Sequence, residues 1–323
     1  MENISRRGFV ISAAAAAAAF GLDGPLEIVG SAFAQSNSAL ADKGFVKFKI
    51  GDVEVTQVYD GIWNRELQDG FVVNATRDEV SDALKAAGLP PNTVPITFTL
   101  TAVTIGGKTT LIDSGTGVPG QVQPTAGLAA SKNWAAAGIE PGKVENIVIT
   151  HFHPDHISGL MVKDTNAEVF PNATIHVPAP ELEWWTGSSV PQGAQGLAGR
   201  VKATLGTWKN VKPYQADAEM VPGIRAIATY GHTPGHTSLH VGSGAQQLIV
   251  LGDVTNIPAL FVRNPGWHAV FDADPAMAEA NRRKMFDRIV ADKVTITGYH
   301  YGMPGAGTIA KEGNGYVFTA ISA

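Results

Sequence analysis

The hexapeptide His151-Phe152-His153-Pro154-Asp155-His156 constrains this chain more than any other stretch. It follows the apolar run Ile147-Val148-Ile149-Thr150 and precedes Ile157-Ser158-Gly159-Leu160. Four side chains able to hold a metal therefore leave the end of what reads as a buried strand. On an extended chain alternate residues share a side. His151, His153 and Asp155 are thus expected to converge, with His156 directed to a second centre. The expectation is two adjacent metals rather than one. The bland alternative is a polar strand-to-loop turn, and further ligand-bearing segments downstream would exclude it.

Three such segments occur. Gly231-His232-Thr233-Pro234-Gly235-His236 follows a β run ending at Tyr230, and Gly252-Asp253 follows Leu248-Ile249-Val250-Leu251. Gly298-Tyr299-His300 follows the run 294–297. Each stands where a β run gives way to a loop, the place where a rigid scaffold presents reactive groups. The 323 residues contain no cysteine, so disulfides, thiolate sites and a cysteine nucleophile are excluded. A metal must then rest on imidazole and carboxylate. The formal charge of −5 and the lack of a long basic run leave no electrostatic footprint for nucleic acid.

The remaining pattern places these segments. Residues 45–50 and 53–58 alternate around Gly51-Asp52, a hairpin signature. Thr76 with Glu79 forms a capping box for a helix ending at Gly88. Strands are expected at 96–105 and 109–112, a helix over 128–137, and a strand near 174–177 followed by a loop-rich stretch through Gly199. A β run over 224–228 should pair with 239–241 and 247–251. Asp274-Pro275 opens a helix to about Ala291, 294–297 is a final core strand, and 316–321 is an edge strand. Strands and helices mix in two comparable halves, without repeat or composition break. That pattern predicts an α/β fold of one domain over 36–323, an αββα sandwich of two packed mixed sheets with helices outside.

The first 35 residues read as a leader. Ser5-Arg6-Arg7-Gly8-Phe9 resembles a twin-arginine export motif, the apolar stretch Ala13 to Phe20 is too short to span a bilayer, and Ala32-Phe33-Ala34 offers a small-residue cleavage site. The expectation is a periplasmic or secreted protein with no stable membrane insertion once processed.

The order His-x-His-x-Asp-His, Gly-His-Thr-Pro-Gly-His, Leu-Gly-Asp and a terminal His resembles the metallo-β-lactamase superfamily from about Phe45 to the C-terminus. Phe170-Pro171-Asn172-Ala173, Val221-Pro222-Gly223-Ile224 and His300-Tyr301-Gly302-Met303-Pro304-Gly305 are similar to methyl parathion hydrolase-like members. Acyl-homoserine-lactone lactonases and glyoxalase II-type thioesterases share the same arrangement. Position by position, the resemblance implies His151, His153 and His232 around one metal, Asp155, His156 and His300 around a second, and Asp253 between them. It implies two divalent ions, zinc first, with iron, manganese or cobalt also suited to these donors. Such a pair, about 3.5 Å apart, shares a hydroxide nucleophile; Asp155 is expected to pass its proton to the leaving group. Asp113, at the family's Asp-x-Gly position, is expected to accept a hydrogen bond from a ligand imidazole. His236 is either a direct participant or a structural histidine in its turn.

The expected reaction is hydrolysis of a neutral small-molecule ester: a lactone, a carboxylic ester or an organophosphate triester. Cleavage of β-lactams is disfavoured, because one lactamase type needs a Cys ligand and others lack the Asp253 equivalent. A glyoxalase II-like thioesterase and a mononuclear-iron persulfide dioxygenase are the enzyme alternatives. A nuclease would need a basic exosite, and a non-catalytic binding protein would not need the full ligand set. A homodimer is a further expectation, from relatives of this fold. Candidate pocket residues are Trp184, Trp185, Trp267, Tyr299, Tyr301 and Met303, with Phe261 and His268 as further wall residues and Trp63 and Phe71 as a flap. His176 and His240 read as strand residues, and Arg282-Arg283-Lys284 as a solvated helix face.

Overall fold

A computed structural model describes residues 38–243 and 246–322. The leader read over residues 1–35 lies outside the described residues. Helix α1 (Ser38–Lys43) leads into β1 (Phe45–Ile50) and β2 (Val53–Glu66), which pair antiparallel across the Gly51-Asp52 turn. The strand β2 runs on past the predicted hairpin, with a bulge between Tyr59 and Gly61. Helix α2 (Arg77–Ala86) carries the capping box between Thr76 and Glu79. Strands β3 (Thr93–Ile105) and β4 (Lys108–Ile112) follow, then a short helix α3 (Trp134–Ala137) and β5 (Asn146–Val148). One helical turn, α4 (Pro154–Ile157), precedes β6 (Thr174–Pro178). The predicted loop-rich stretch after β6 is instead two helices, α5 (Ala179–Thr186) and α6 (Gln195–Ala203). Neither has a side-chain N-cap, and Pro180 in the first turn of α5 is the one start signal of the pair, too little to set them apart from a loop. Next come β7 (Val211–Tyr214), β8 (Glu219–Val221), β9 (Ile224–Ala228), β10 (Thr237–Ser243) and β11 (Gln246–Val250). Helix α7 (Pro275–Asp292) starts at Asp274, whose side chain accepts from the Met277 N–H, and β12 (Thr295–Thr297) follows it. The strand β12 is not the last of the core: β13 (Ala306–Glu312) and β14 (Gly315–Ala320) extend the sheet beyond it.

Among the described residues the strands form two seven-stranded sheets, ordered β1 to β7 and β14 to β8. The first turns from antiparallel to parallel at β4–β5, and the second has its parallel pair at β11–β12. Strand alternation builds the layers. Val148, Ile112, Val55 and Val103 point inward, against Leu239, Val241, Leu248 and Val250 of the other sheet. Their neighbours Ile147 and Leu111 point outward to a helix-side core with Trp134, Trp185 and Leu205. On the other outer face, Ile249 and Ile296 pack against Met285, Phe286 and Ile289 of α7. Each fully buried side chain of this kind contributes roughly 1.5–3 kcal/mol, so β4, β5, β11 and β12 are held from both faces. The αββα sandwich is the observed architecture. No helix among the described residues is long and apolar enough to cross a membrane.

Candidate metal centre

Two parallel pairs, β4–β5 and β11–β12, end at one rim. Asp113 follows β4, Thr150 and His151 follow β5, Asp253 follows β11 and His300 follows β12. Hydrogen bonds across the sandwich fix the rim: Thr237 N–H donates to Thr150 O (3.0 Å) and Thr99 N–H to Tyr299 O (2.9 Å). The loop between β9 and β10 completes it. There Gly231 has φ 125°, and a Cβ would lie 2.3 Å from the Ala278 nitrogen, while a Cβ on Gly235 would meet the Glu181 nitrogen at 2.3 Å. Only glycine lets this loop lie so close to α5 and α7.

The hexapeptide does not continue as a strand. His153 caps α4, and Pro154 occupies its first turn, so Asp155 and His156 sit on a helical turn. The alternation expected for His151, His153 and Asp155 therefore fails at Asp155, because the period changes from 2 to 3.6. The structure brings together His151, His153, His232 and Asp253 in one group, and Asp155, His156 and His300 in a second, with the donor atoms of each within 4.8 Å of one another. In the first group His153 Nδ1 lies 3.1 Å from His151 Nε2 and 2.9 Å from His232 Nε2. In the second, Asp155 Oδ2 lies 3.5 Å from His156 Nε2 and 3.6 Å from His300 Nε2. Asp253 touches both groups: Oδ2 is 3.3 Å from His232 Nε2 and 3.0 Å from His300 Nε2, and Oδ1 is 3.4 Å from His156 Nε2.

The arrangement fits two metals on its own geometry. Four imidazoles are held at Nδ1: His156 by Asp113 Oδ2 (2.7 Å), His232 by Asp272 Oδ1 (2.9 Å), His300 by Thr97 O (2.8 Å) and His151 by Thr150 Oγ1 (3.1 Å). Carboxylate and carbonyl oxygens only accept, and the Thr150 hydroxyl donates its own proton to Asp113, so each of these rings carries a proton on Nδ1 and points Nε2 inward. Nε2 is then the atom each ring offers to an ion, which would take the place of any proton there. Donor–donor separations near 3 Å are close to the roughly 3.4 Å edge of a tetrahedron with bonds of about 2.0–2.1 Å. His156 Nε2 and Asp253 Oδ1 are buried and have no hydrogen-bond partner, an arrangement that is costly for a protein alone.

Charge follows burial. Burial pushes His151 and His153 well below the ordinary histidine value, with neighbouring imidazoles adding to the effect. His156 is buried too, yet Asp253, Asp155 and Asp113 outweigh that and hold it well above. Asp253 and Asp272 likewise overcome burial to raise His232 to about 9. Asp253 is itself held well below the carboxylate range by His300 and His156, against the effect of burial.

The supporting residues are partly those expected. Asp113, at φ 61°, accepts from the Thr150 N–H (2.8 Å), the Thr150 hydroxyl (2.9 Å) and His156. His236 makes no contact with the inward donor atoms as a ligand would. Its Nε2 accepts from the Asp253 N–H (2.8 Å) and its Nδ1–H reaches Thr229 O (3.1 Å), so it holds the Asp253 backbone. Burial takes His236 down to about 3, which keeps Nε2 an acceptor.

Beside the two groups lies a cavity of about 260 Å³, walled by Trp63, Phe71, Ile96, Phe98, Phe261 and Phe271, with His153, Asp155, His232, Asp253 and His300 on its floor. Phe261 is thus a wall residue as expected. Trp63 belongs to β2 and Phe71 is buried, so they form fixed wall rather than flap. None of the seven other candidates lines this cavity. Trp185 is buried on α5 with its indole N–H donated to Glu181, and Trp184 packs beside it against the helix-side core. Trp267 packs against that same core, Tyr301 lies in the core under α7 against Phe318, and Met303 packs with Val46 and Tyr59. Tyr299 lies beneath the site, its ring 3.9 Å from that of His156 and its hydroxyl donating to Asp155 O (2.6 Å). His268 pairs with Glu279 (2.8 Å) instead of entering the cavity. His176 and His240 are strand residues of β6 and β10.

Residues 99–296 match the model of the metallo-beta-lactamase superfamily. The chain belongs to that superfamily. Within it, an N-acyl homoserine lactonase of Bacillus sp is 29% identical over 173 residues, covering 53% of this chain and 63% of the relative. One from Bacillus cereus is 26% identical over 147 residues, covering 46% and 52%. The chain therefore spans less than two thirds of the length of these relatives. The lactonase AidC, solved as a dizinc quorum-quenching enzyme with the product N-hexanoyl-L-homoserine, has the same fold, with a TM-score of 0.79, 24% identity and 87% and 98% coverage. The hydrolase AbOPH of the beta lactamase superfamily superposes with a TM-score of 0.78 at 26% identity, again over 87% and 98%.

Sequence reasoning missed Glu181, Asp272 and Arg282. Glu181 is buried and accepts from the N–H groups of Phe152 (3.0 Å) and Gly235 (2.8 Å), tying the hexapeptide to the β9–β10 loop. Arg282 is not on a solvated face: it is fully buried, and its guanidinium pairs with Asp272 (3.3 Å). A basic triplet on a helix carries no sign of which member turns inward.

Proposed function

We propose that this member of the superfamily is a two-metal hydrolase of neutral, largely apolar esters, with N-acyl homoserine lactones as the leading substrate class. The observation that carries the reading is Asp253, which lies between two complete donor groups on the floor of an aromatic-walled cavity. On this reading His151, His153 and His232 hold one ion, Asp155, His156 and His300 hold the other, and Asp253 joins them. Zinc suits the donors, and AidC, of the same fold, is described as dizinc. Divalent ions held there supply Lewis acidity towards an ester carbonyl and bring the pKa of water towards neutrality.

The chain's own residues do the rest. The wall of Trp63, Phe71, Phe98, Phe261 and Phe271 takes an acyl or aryl group and keeps bulk water from the ester. Among the described residues no lysine or arginine lines the cavity, which favours a neutral substrate over an anionic one. Asp155 lines the cavity with a side chain 17% exposed, the most open carboxylate of the two groups. It is placed to hold a proton and hand it to the leaving alkoxide. The resemblance of Ser5-Arg6-Arg7-Gly8-Phe9 to an export motif supports delivery to the periplasm or beyond through the twin-arginine route.

The test is metal analysis of the purified protein, then a panel of homoserine lactones of several acyl lengths, aryl esters, phosphotriesters and β-lactams. Two zinc ions per chain and turnover led by the lactones are expected. A protein with two metals and no activity on any ester would overturn the reading. Turnover of phosphotriesters above lactones would move the substrate class and keep the chemistry.

A further inference from the structure

Arg282 has no part in the chemistry above, and its surroundings ask for one. Its side chain is 1% exposed. Nε donates to Val254 O (3.0 Å), and Nη1 to Pro265 O (3.0 Å) and Trp267 O (2.7 Å). Nη2 donates to Asp272 Oδ2 (3.3 Å), and the guanidinium lies 5.5 Å from the ring centroid of Phe261. Asp272 accepts a further hydrogen bond from the Ala269 N–H (3.3 Å) and, through Oδ1, the one from His232 Nδ1 (2.9 Å). These attachments bracket one segment, residues 254–272. It begins immediately after Asp253 and supplies Asn256, Ile257, Phe261 and Phe271 to the cavity.

Stability alone does not account for an arginine here. Burying a guanidinium costs several kcal/mol before its partners repay it, and a well-packed apolar side chain would serve the core at least as well. An apolar side chain could not link four acceptors, and neither could lysine, which lacks the planar fork. We propose that Arg282 and Asp272 are positioning residues that lock His232 and the 254–272 wall into one unit. Zinc affinity at the His151–His153–His232–Asp253 group and the shape of the substrate cavity are then set together. The proposal rests on the two-metal reading. Its physical basis is leverage: Asp272 fixes both the tautomer and the ring plane of His232, and Arg282 fixes Asp272 together with the peptide groups on either side of the wall. Loss of such an outer partner typically costs about 10–100-fold in metal affinity.

The test compares Asp272→Asn and Arg282→Lys with the wild type, and uses Arg288→Ala, 44% exposed on the same helix and paired with Asp292, as control. Zinc alone is titrated in competition with a chromogenic chelator. Melting is followed with and without zinc, and kcat and KM are measured on an ester that the wild type hydrolyses. Both variants are expected to bind one of the two zinc equivalents about 10–100-fold more weakly and to gain less melting temperature from zinc. Arg282→Lys should also raise KM several-fold as Phe261 loses its support, and Arg288→Ala should change none of these. Variants that melt lower without zinc yet bind it as tightly as the wild type would overturn the proposal. If Arg282→Lys does not fold, Asp272→Asn, which conserves volume, decides alone. A wild type that takes up no zinc would remove the two-metal reading as well. A wild type with two zinc ions matched by both variants would remove only this inference.

Discussion

At the scale of single residues, the site works by denying each polar atom an alternative partner. His151, His156, His232 and His300 spend their Nδ1 protons on neighbours, which leaves only Nε2 to face inward. Asp155 differs in being open to the cavity. Asp155→Asn is expected to lower kcat about 10²–10⁴-fold with both metals retained; unchanged turnover in a fully loaded variant would remove its proton-transfer role. Asp60 gives a second residue-scale expectation, away from the metals. It sits at the β2 bulge and accepts from the Thr116 N–H (2.8 Å), the Thr116 hydroxyl (2.7 Å) and the Ala129 N–H (2.8 Å). Burial, only partly offset by these donors, pushes its carboxyl up to about 6. A carboxyl raised above its unfolded value of about 3.9 stabilises the fold fully below that value, and the contribution is lost as pH rises through 6. Asp60→Asn should therefore cost more at pH 4.5 than at pH 7.5, by about 2 kcal/mol. Urea unfolding of the metal-free protein at the two pH values measures this, and equal costs would refute it.

At the scale of elements, the loops after β5 and between β9 and β10 face each other from different sheets, and Glu181 of α5 fastens them. Glu181→Ala leaves the N–H groups of Phe152, Gly235 and the Trp185 indole without their acceptor. At about 1–3 kcal/mol for each buried group left unpaired, the loss should be at least ~3 kcal/mol in denaturant unfolding. A loss below ~1 kcal/mol would mean that the loops hold themselves. Helix α7 plays the matching part on the other side, since its buried Arg282 anchors the wall segment. Helices α5 and α7 thus do more than cover apolar strands: each sends one charged side chain inward to the rim.

For the whole molecule, two sheets packed face to face bring the ends of β4, β5, β11 and β12 to one rim, and acidic side chains accumulate there. Asp113, Asp155, Asp253 and Asp272 stand within one shell of the imidazoles. Ions that bind the folded chain and not the unfolded one should stabilise it by about 4 kcal/mol when free metal exceeds the dissociation constant 1,000-fold. Removing metal with a chelator should abolish ester hydrolysis and lower the melting temperature, and zinc should restore both. A melting curve indifferent to chelator would count against a metal held within the fold.

Much of this was legible in the chain because ligand type and order are local properties. His151, His153, Asp155, His156, His232, Asp253 and His300 stand in motifs at strand ends, Asp113 is marked by the family resemblance, and strand alternation with capped helices suffices for the αββα layers. The hexapeptide alone misled at Asp155, where Pro154 starts a helical turn that strand periodicity does not foresee. Other features depended on contacts between segments far apart. Glu181 meets Phe152 and Gly235, Asp272 meets His232, and Arg282 turns inward while Arg283 beside it pairs with Glu279 at the surface. The cavity wall is likewise assembled from β2, β3 and the 254–272 segment, which is why the tryptophans of α5 were candidates and Phe98 and Phe271 were not. Identity of the donors is written residue by residue, whereas the shell that orients them and the wall that selects a substrate exist only once both sheets have packed.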